Sequence, residues 1–196
     1  MGTTTKVQQR EATTARLIEI ARSEFTEKGY ANAATEEIVR LAGVTRGALY
    51  HHFGSKEGLF HAVLDRVQQD VGSRVEMAAD QHSDAWEQLK AGCAAFLEAT
   101  RDPQVQRIML VDAPAVLGWS AWRSLDAQYS MSSLREGLQA LMTAGELAPL
   151  PLDALTHLLS GAMNEAALWI AQSDHPAALE EAVMTLHHLL DALRRQ

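Results

Sequence analysis

The chain has 196 residues, of which 47% are hydrophobic and 21% charged, with a net charge of −8. That length bounds it to one sizeable domain or a small domain on a larger one, and the composition excludes a disordered chain. The single cysteine, Cys93, excludes an internal disulfide framework and a multi-cysteine zinc site. Within LKAGCAAFL it reads as a small core residue. The N-terminal run MGTTTKVQQREATT has no apolar centre, and Lys6 breaks the myristoylation pattern after Met1-Gly2. No window reaches the apolar length of a membrane span, so no membrane partner is expected and the expected location is the cytoplasm.

The charge is unevenly placed. Residues 1–60 hold eight Lys and Arg against seven acids, 8 − 7 = +1, which leaves 9 − 18 = −9 for the rest. An acidic body is repelled by phosphates, whereas a near-neutral head can approach them.

Helical periodicity runs through nearly the whole chain, and no strand-like alternation of useful length occurs, so the expected class is all-α. A first helix is predicted over 13–28, with Leu17, Ile20, Ala21 and Phe25 on one face and Gly29 as its stop. Thr35 is expected to cap a short second helix, with Glu36 and Glu37 in its first turn and Gly43 at its end. Thr45 caps a third short helix that reaches about His52, and Phe53-Gly54 breaks it. Ser55 caps a longer fourth helix running towards Ala79. In the remainder, helices are predicted over 84–99, from Pro103 onward, over 120–144, over 152–172 and over 176–193. Asp112-Ala-Pro114 and Gly118 interrupt the pattern between the second and third of these.

The segment 35–53 has the layout of a helix-turn-helix: a short helix, a glycine turn and a second short helix. Leu49 and Phe53 can pack inward, which leaves Arg46, Tyr50 and His51 on the outer surface. Gly47 and Ala48 keep the backbone close to whatever docks there. Lys56, in the first turn of the next helix, is placed to clamp a phosphate beside free backbone N–H groups.

The run from Phe25-Thr-Glu-Lys-Gly-Tyr through Thr35, Ile38 and Ala42-Gly43-Val44 to Leu49-Tyr50-His51-His52-Phe53 and Ser55-Lys56-Glu57-Gly58-Leu59 resembles the N-terminal signature of the TetR/AcrR (tetracycline-repressor-like) transcriptional regulators. The match covers about the first third of the chain. Val39 stands where the family usually has a small Ala, and Ala34-Thr35 where a Thr-Thr pair is common. The resemblance implies an N-terminal three-helix helix-turn-helix domain, 1–55, joined to a larger helical-bundle ligand-binding and dimerisation domain, 56–196. It also implies that Thr35 anchors a phosphate and that Thr45, Arg46 and Gly47 open the recognition helix. Tyr50, His51 and Lys56 would then contact the DNA backbone or base edges.

Competing chemistry is weaker. Adjacent histidines on a helix point to different faces, so His51-His52 and His187-His188 make poor metal sites. Gly54-Ser-Lys56 lacks the full phosphate-binding loop, and no catalytic constellation is recognisable. No enzyme activity, cofactor or metal is therefore expected. The break at 112–118 is expected to leave an irregular wall and a mostly apolar ligand cavity. Trp119 and Trp122 would border it, with Phe96 and Met109 opposite and Asp112 or Asn164 orienting the ligand, although each of these residues could equally be ordinary core or surface. The last two helices carry a wide apolar stripe, including Leu159, Met163, Ala166, Ile170, Val183, Leu186 and Leu190. One side can close the body's core, and the excess suits a four-helix interface with a second copy.

The expected function is a homodimeric regulator, a repressor in the simplest form, bound to a palindromic double-stranded operator and released by a small, mostly apolar effector. The alternatives are a helical-bundle enzyme or metal-binding protein, and a regulator controlled by a protein partner.

Overall fold

The computed structural model describes residues 5–195; the Met1-Gly2 start and Gln196 lie outside them. The described residues fold as α-helices with one π-helical stretch and no strand, so the all-α expectation holds. The elements are α1 (Lys6–Asn32), α2 (Thr35–Ala42), α3 (Arg46–Phe53), α4 (Lys56–Ala79), α5 (Ala85–Ala99), a π-helix (Val105–Asp112), α6 (Ala113–Leu117), α7 (Trp119–Asp126), α8 (Ser130–Ala144), α9 (Leu152–Gln172) and α10 (Ala178–Asp191).

α1 begins earlier than its apolar pattern suggests because Thr5 and Gln8 form a reciprocal capping box, which satisfies two of the backbone groups exposed at a helix start. Gly29 does not end the helix but kinks it, at φ 73° and ψ 161°. α2 ends at Gly43, whose φ of 65° is the left-handed conformation expected of a turn glycine. The Thr45 hydroxyl accepts from Ala48 N–H and the Ser55 hydroxyl from Gly58 N–H, so α3 and α4 start where their caps place them.

The head's core is Leu17, Ala21 and Phe25 of α1, Ile38 of α2 and Leu49 of α3, all fully buried with Leu59 and Phe60 of α4. Phe60 meets Phe25 edge-on at 5.3 Å and Tyr30 at 5.1 Å. α3 is too short to persist alone, so this packing is what holds it. Gly58 lets the end of α3 sit against α4, since a Cβ there would stand 2.0 Å from the Phe53 carbonyl oxygen. α4 continues from the head into the body, burying Val63, Leu64, Val67, Val71 and Val75 in turn against α5 and its neighbours.

In the body, α5 packs between α4, α8 and α10, and α9 lies against α8. Trp86 is fully buried, and its indole N–H donates to Asp191 of α10 at 2.9 Å. Two sequence expectations fail here. Pro114 does not interrupt the helix. The preceding stretch widens to π geometry, with Ala113 N–H donating to Ile108 O five residues back, a register that accommodates a proline lacking its own N–H. The single helix predicted over 120–144 is instead two, α7 and α8, separated by a turn at 127–129. Side chains on either side of the turn are tied to different helices: the Tyr129 hydroxyl donates to Asp65 of α4, while Asp126 accepts from Ser160 and Asn164 of α9.

Candidate DNA-binding face and ligand cavity

α3 presents Thr45 at its cap and then Arg46, Gly47, Tyr50 and His51 to solvent, while Leu49 anchors the opposite side. The exposed residues fall one turn apart, as helical spacing requires. His52 is turned partly inward, where its Nδ1 lies 3.0 Å from the Thr14 hydroxyl of α1 and ties α3 to α1. Burial is the main cause that lowers the His52 pKa, with the nearby charges of Arg10 and His51 adding to it.

Arg46 is held in place. Its guanidinium pairs with Glu36 of α2 at 3.0 Å and donates to the Tyr50 hydroxyl at 3.3 Å. The Glu36 carboxyl is correspondingly lowered by backbone and Thr35 hydrogen bonds and by Arg46. Two other expected phosphate contacts are less free than the sequence suggests. Thr35 does not cap α2; Ala34 takes that position, and Thr35 is buried with its hydroxyl donating to Glu36 at 3.2 Å. The Lys56 ammonium is drawn back to the Ala31 carbonyl at 3.4 Å and lies 4.5 Å from the centre of the Tyr30 ring. Burial lowers its pKa.

A cleft of about 500 Å³ opens between α4, α5 and α8, with Met163 of α9 at one end. Leu89, Cys93, Phe96, Leu134 and Met163 supply its apolar surface, and Glu76, Asp80 and Glu136 stand at its rim. Burial pushes the Cys93 thiol up to about 12, so it lines the cavity as a neutral group.

Of the six residues expected at a ligand site, Phe96 lines this cavity and the others do not. Met109 is core. Asp112 is a joint between head and body: it accepts from the Tyr30 backbone N–H at 2.8 Å and from Arg107 at 3.2 Å. Trp119 is 68% exposed and covers Trp122, with ring centres 5.0 Å apart. Asn164 is buried, donating to Asp126 beneath α7. Through Asp112 the segment 112–118 joins the body to the head, and its Leu117 lines a different, more open cleft beside the start of α4. The signal that could have found the cavity was the small-residue pattern Gly92, Gly137 and Ala140 facing across α5 and α8.

The apolar stripe of α9 and α10 divides. Leu159, Met163, Leu186 and Leu190 are buried in the chain's own core, and Ala166, Ile170 and Val183 are half-buried. The outward apolar residues are Leu158 and Trp169 of α9 with Met184 and Leu189 of α10. Between the two helices runs an apolar groove of about 300 Å³ that Ala162, Trp169, Thr185 and Leu189 line. Among the described residues, no cluster of three or more His, Cys, Asp or Glu is placed to hold a metal ion, and no helix is long and apolar enough to cross a membrane.

Residues 17–63 match the family described as bacterial regulatory proteins, tetR family, and residues 86–193 match the tetracyclin repressor-like C-terminal domain. The HTH-type transcriptional activator FasR of Mycolicibacterium smegmatis is 32% identical over 153 residues, covering 72% of this chain and 70% of its own. The Tn10 TetC protein of Escherichia coli is 26% identical over 145 residues, covering 74% and 73%. In structure, a TetR-family transcriptional regulator from Pectobacterium atrosepticum superposes with a TM-score of 0.81 at 36% identity, over 98% of both chains. With its helix-turn-helix and its helical C-terminal domain both matched, this chain belongs to the TetR family of transcriptional regulators.

Proposed function

We propose that two copies of the chain bind a palindromic operator, each laying α3 into the major groove, and that a small molecule in the α4–α5–α8 cavity controls the binding. The observation that carries this reading is the row Thr45, Arg46, Gly47, Tyr50 and His51, exposed on a short helix whose other side is locked by Leu49. The head of this arrangement is 1–55, completed by Leu59 and Phe60 of α4, and the body is 56–196.

Dimerisation through the outward faces of α9 and α10 is supported by Leu158, 72% exposed, and Leu189, 56% exposed, on neighbouring helices. Paired heads would then read half-sites about 34–36 Å apart or a multiple of it. Effector control is supported by α4, which lines the cavity with Val75 and Glu76 and carries Lys56 at its other end. A ligand that prefers one tilt of α4 shifts the spacing of the heads, with a typical coupling of about 1–3 kcal/mol, or about 5- to 150-fold in operator affinity. A repressor is the simplest outcome, since occupancy of a promoter-proximal palindrome blocks it without further contacts.

Fragments selected from the source genome with the full-length protein test the reading. Enriched fragments should share a palindrome, and sedimentation of the protein–DNA complex should give two chains, or a multiple of two, per site. Enrichment of unrelated sequences, or one chain per site, would refute it.

A further inference from the structure

We propose that the α4–α5–α8 cavity takes cationic amphiphiles: molecules with an apolar, preferably aromatic, body and one delocalised or quaternary positive charge. The inference rests on the reading of this cavity as the effector site and adds the class of ligand.

Three carboxylates, Glu76, Asp80 and Glu136, line the cavity, and among the described residues no Lys, Arg or His does. The cations on the same helices are held elsewhere: Arg74 on Asp102 at 3.5 Å, Lys90 on Glu87 at 3.6 Å and Asp191 at 3.5 Å, and Arg135 on Asp153 at 3.0 Å. None of the three rim acids pairs with a cation among the described residues, so their charge remains available to a ligand. The buried thiol of Cys93 adds no charge. Besides the acids the lining is mainly apolar, with buried Leu89, Phe96 and Met163 and the neutral polar side chains Gln88, Ser130 and Ser133. Such a site desolvates an apolar body while its cation stays at a wet, anionic rim. A carboxylate ligand there would meet three like charges. A volume of about 500 Å³ suits a molecule with several rings.

The test uses tetraphenylphosphonium and tetraphenylborate, which share size and shape and differ in the sign of their charge. Calorimetry on the full-length protein should show the phosphonium binding at least tenfold tighter than the borate. Glu76→Gln, Asp80→Asn and Glu136→Gln, all at exposed positions, should each weaken the phosphonium about two- to tenfold and leave the borate equal or tighter. Ala140→Trp, at an exposed rim position, should obstruct both. Equal or tighter binding of the borate would overturn the cation preference while leaving an apolar effector site standing. Absence of both, or phosphonium binding that all four variants leave unchanged, would overturn the proposal and the cavity's effector reading together. Phosphonium binding that follows the carboxylates without altering operator affinity would support the ligand class and remove the effector role.

Discussion

Arg46 and Glu36 face one another across the turn of the helix-turn-helix, guanidinium to carboxylate at 3.0 Å. Both side chains are well exposed, so the pair contributes little to stability, and its consequence is electrostatic. A carboxylate beside the recognition helix occupies Arg46 and repels phosphates. Glu36→Gln should therefore tighten operator binding about two- to fivefold at low salt, with the gain fading as salt rises. Fluorescence anisotropy on an operator fragment measures this. Weaker binding by Glu36→Gln would mean that the pair positions Arg46 for the DNA instead of competing with it.

The joint between head and body depends on Gly29 and Asp112. The kink at Gly29 frees the Tyr30 N–H, which Asp112 takes, and Arg107 folds over the glycine to pair with the same carboxylate. A Cβ at Gly29 would stand 1.9 Å from an Arg107 guanidinium nitrogen, and φ 73°, ψ 161° is a conformation that other residues strongly resist. Gly29→Ala should cost about 1–3 kcal/mol. Asp112→Ala should cost about 1–3 kcal/mol by removing a charge-assisted hydrogen bond from the half-buried Tyr30 N–H. Denaturant unfolding followed by circular dichroism checks both. A loss under about 0.5 kcal/mol in each would show that the joint is not structural.

The two faces of α9 and α10 should respond oppositely to charge. Leu158→Glu with Leu189→Glu alters outward residues and should give folded monomers by sedimentation velocity, with operator affinity lost alongside the dimer. Leu186→Glu places a carboxylate in the core and should lower thermal stability outright. A dimer that survives the outward pair would move the interface elsewhere.

His52 gives the head a pH dependence. Its folded pKa lies below the usual 6.5, so the unfolded chain binds the proton more readily. The stability this histidine contributes is complete above pH 6.5 and is lost as the pH falls through that value towards the lowered folded pKa. His52→Asn should flatten this part of the profile when melting temperatures of variant and parent are compared from about pH 5 to pH 8. Parallel profiles would show that His52 does not contribute.

The head was legible in the sequence because local signals agree there with tertiary packing. Thr45, Ser55 and Gly43 fix helix limits through backbone chemistry that acts within three or four residues. The exposed row of α3 follows once Leu49 is placed inward. The body was less legible where long-range contacts decide. The turn at 127–129 contains no glycine or proline, and the partners of Tyr129 and Asp126 lie some 34 to 64 residues away. Pro114 looked like a break because π geometry leaves no signature in composition. On α9 and α10 the apolar stripe is wide enough to serve two surfaces, so periodicity alone could not say that Met163 faces the cavity and Leu158 the solvent.

Salt titration of operator binding by the parent protein, Arg46→Ala and Tyr50→Ala tests most directly whether α3 is the DNA-reading element. Both substitutions lie on the exposed row and should leave the fold and the dimer intact. Each should weaken specific binding by about 1–3 kcal/mol, and Arg46→Ala should also reduce the slope of log affinity against log salt by about one if its partner is a phosphate. Unchanged affinity and slope in both variants, with the dimer preserved, would contradict the assignment of this face to DNA.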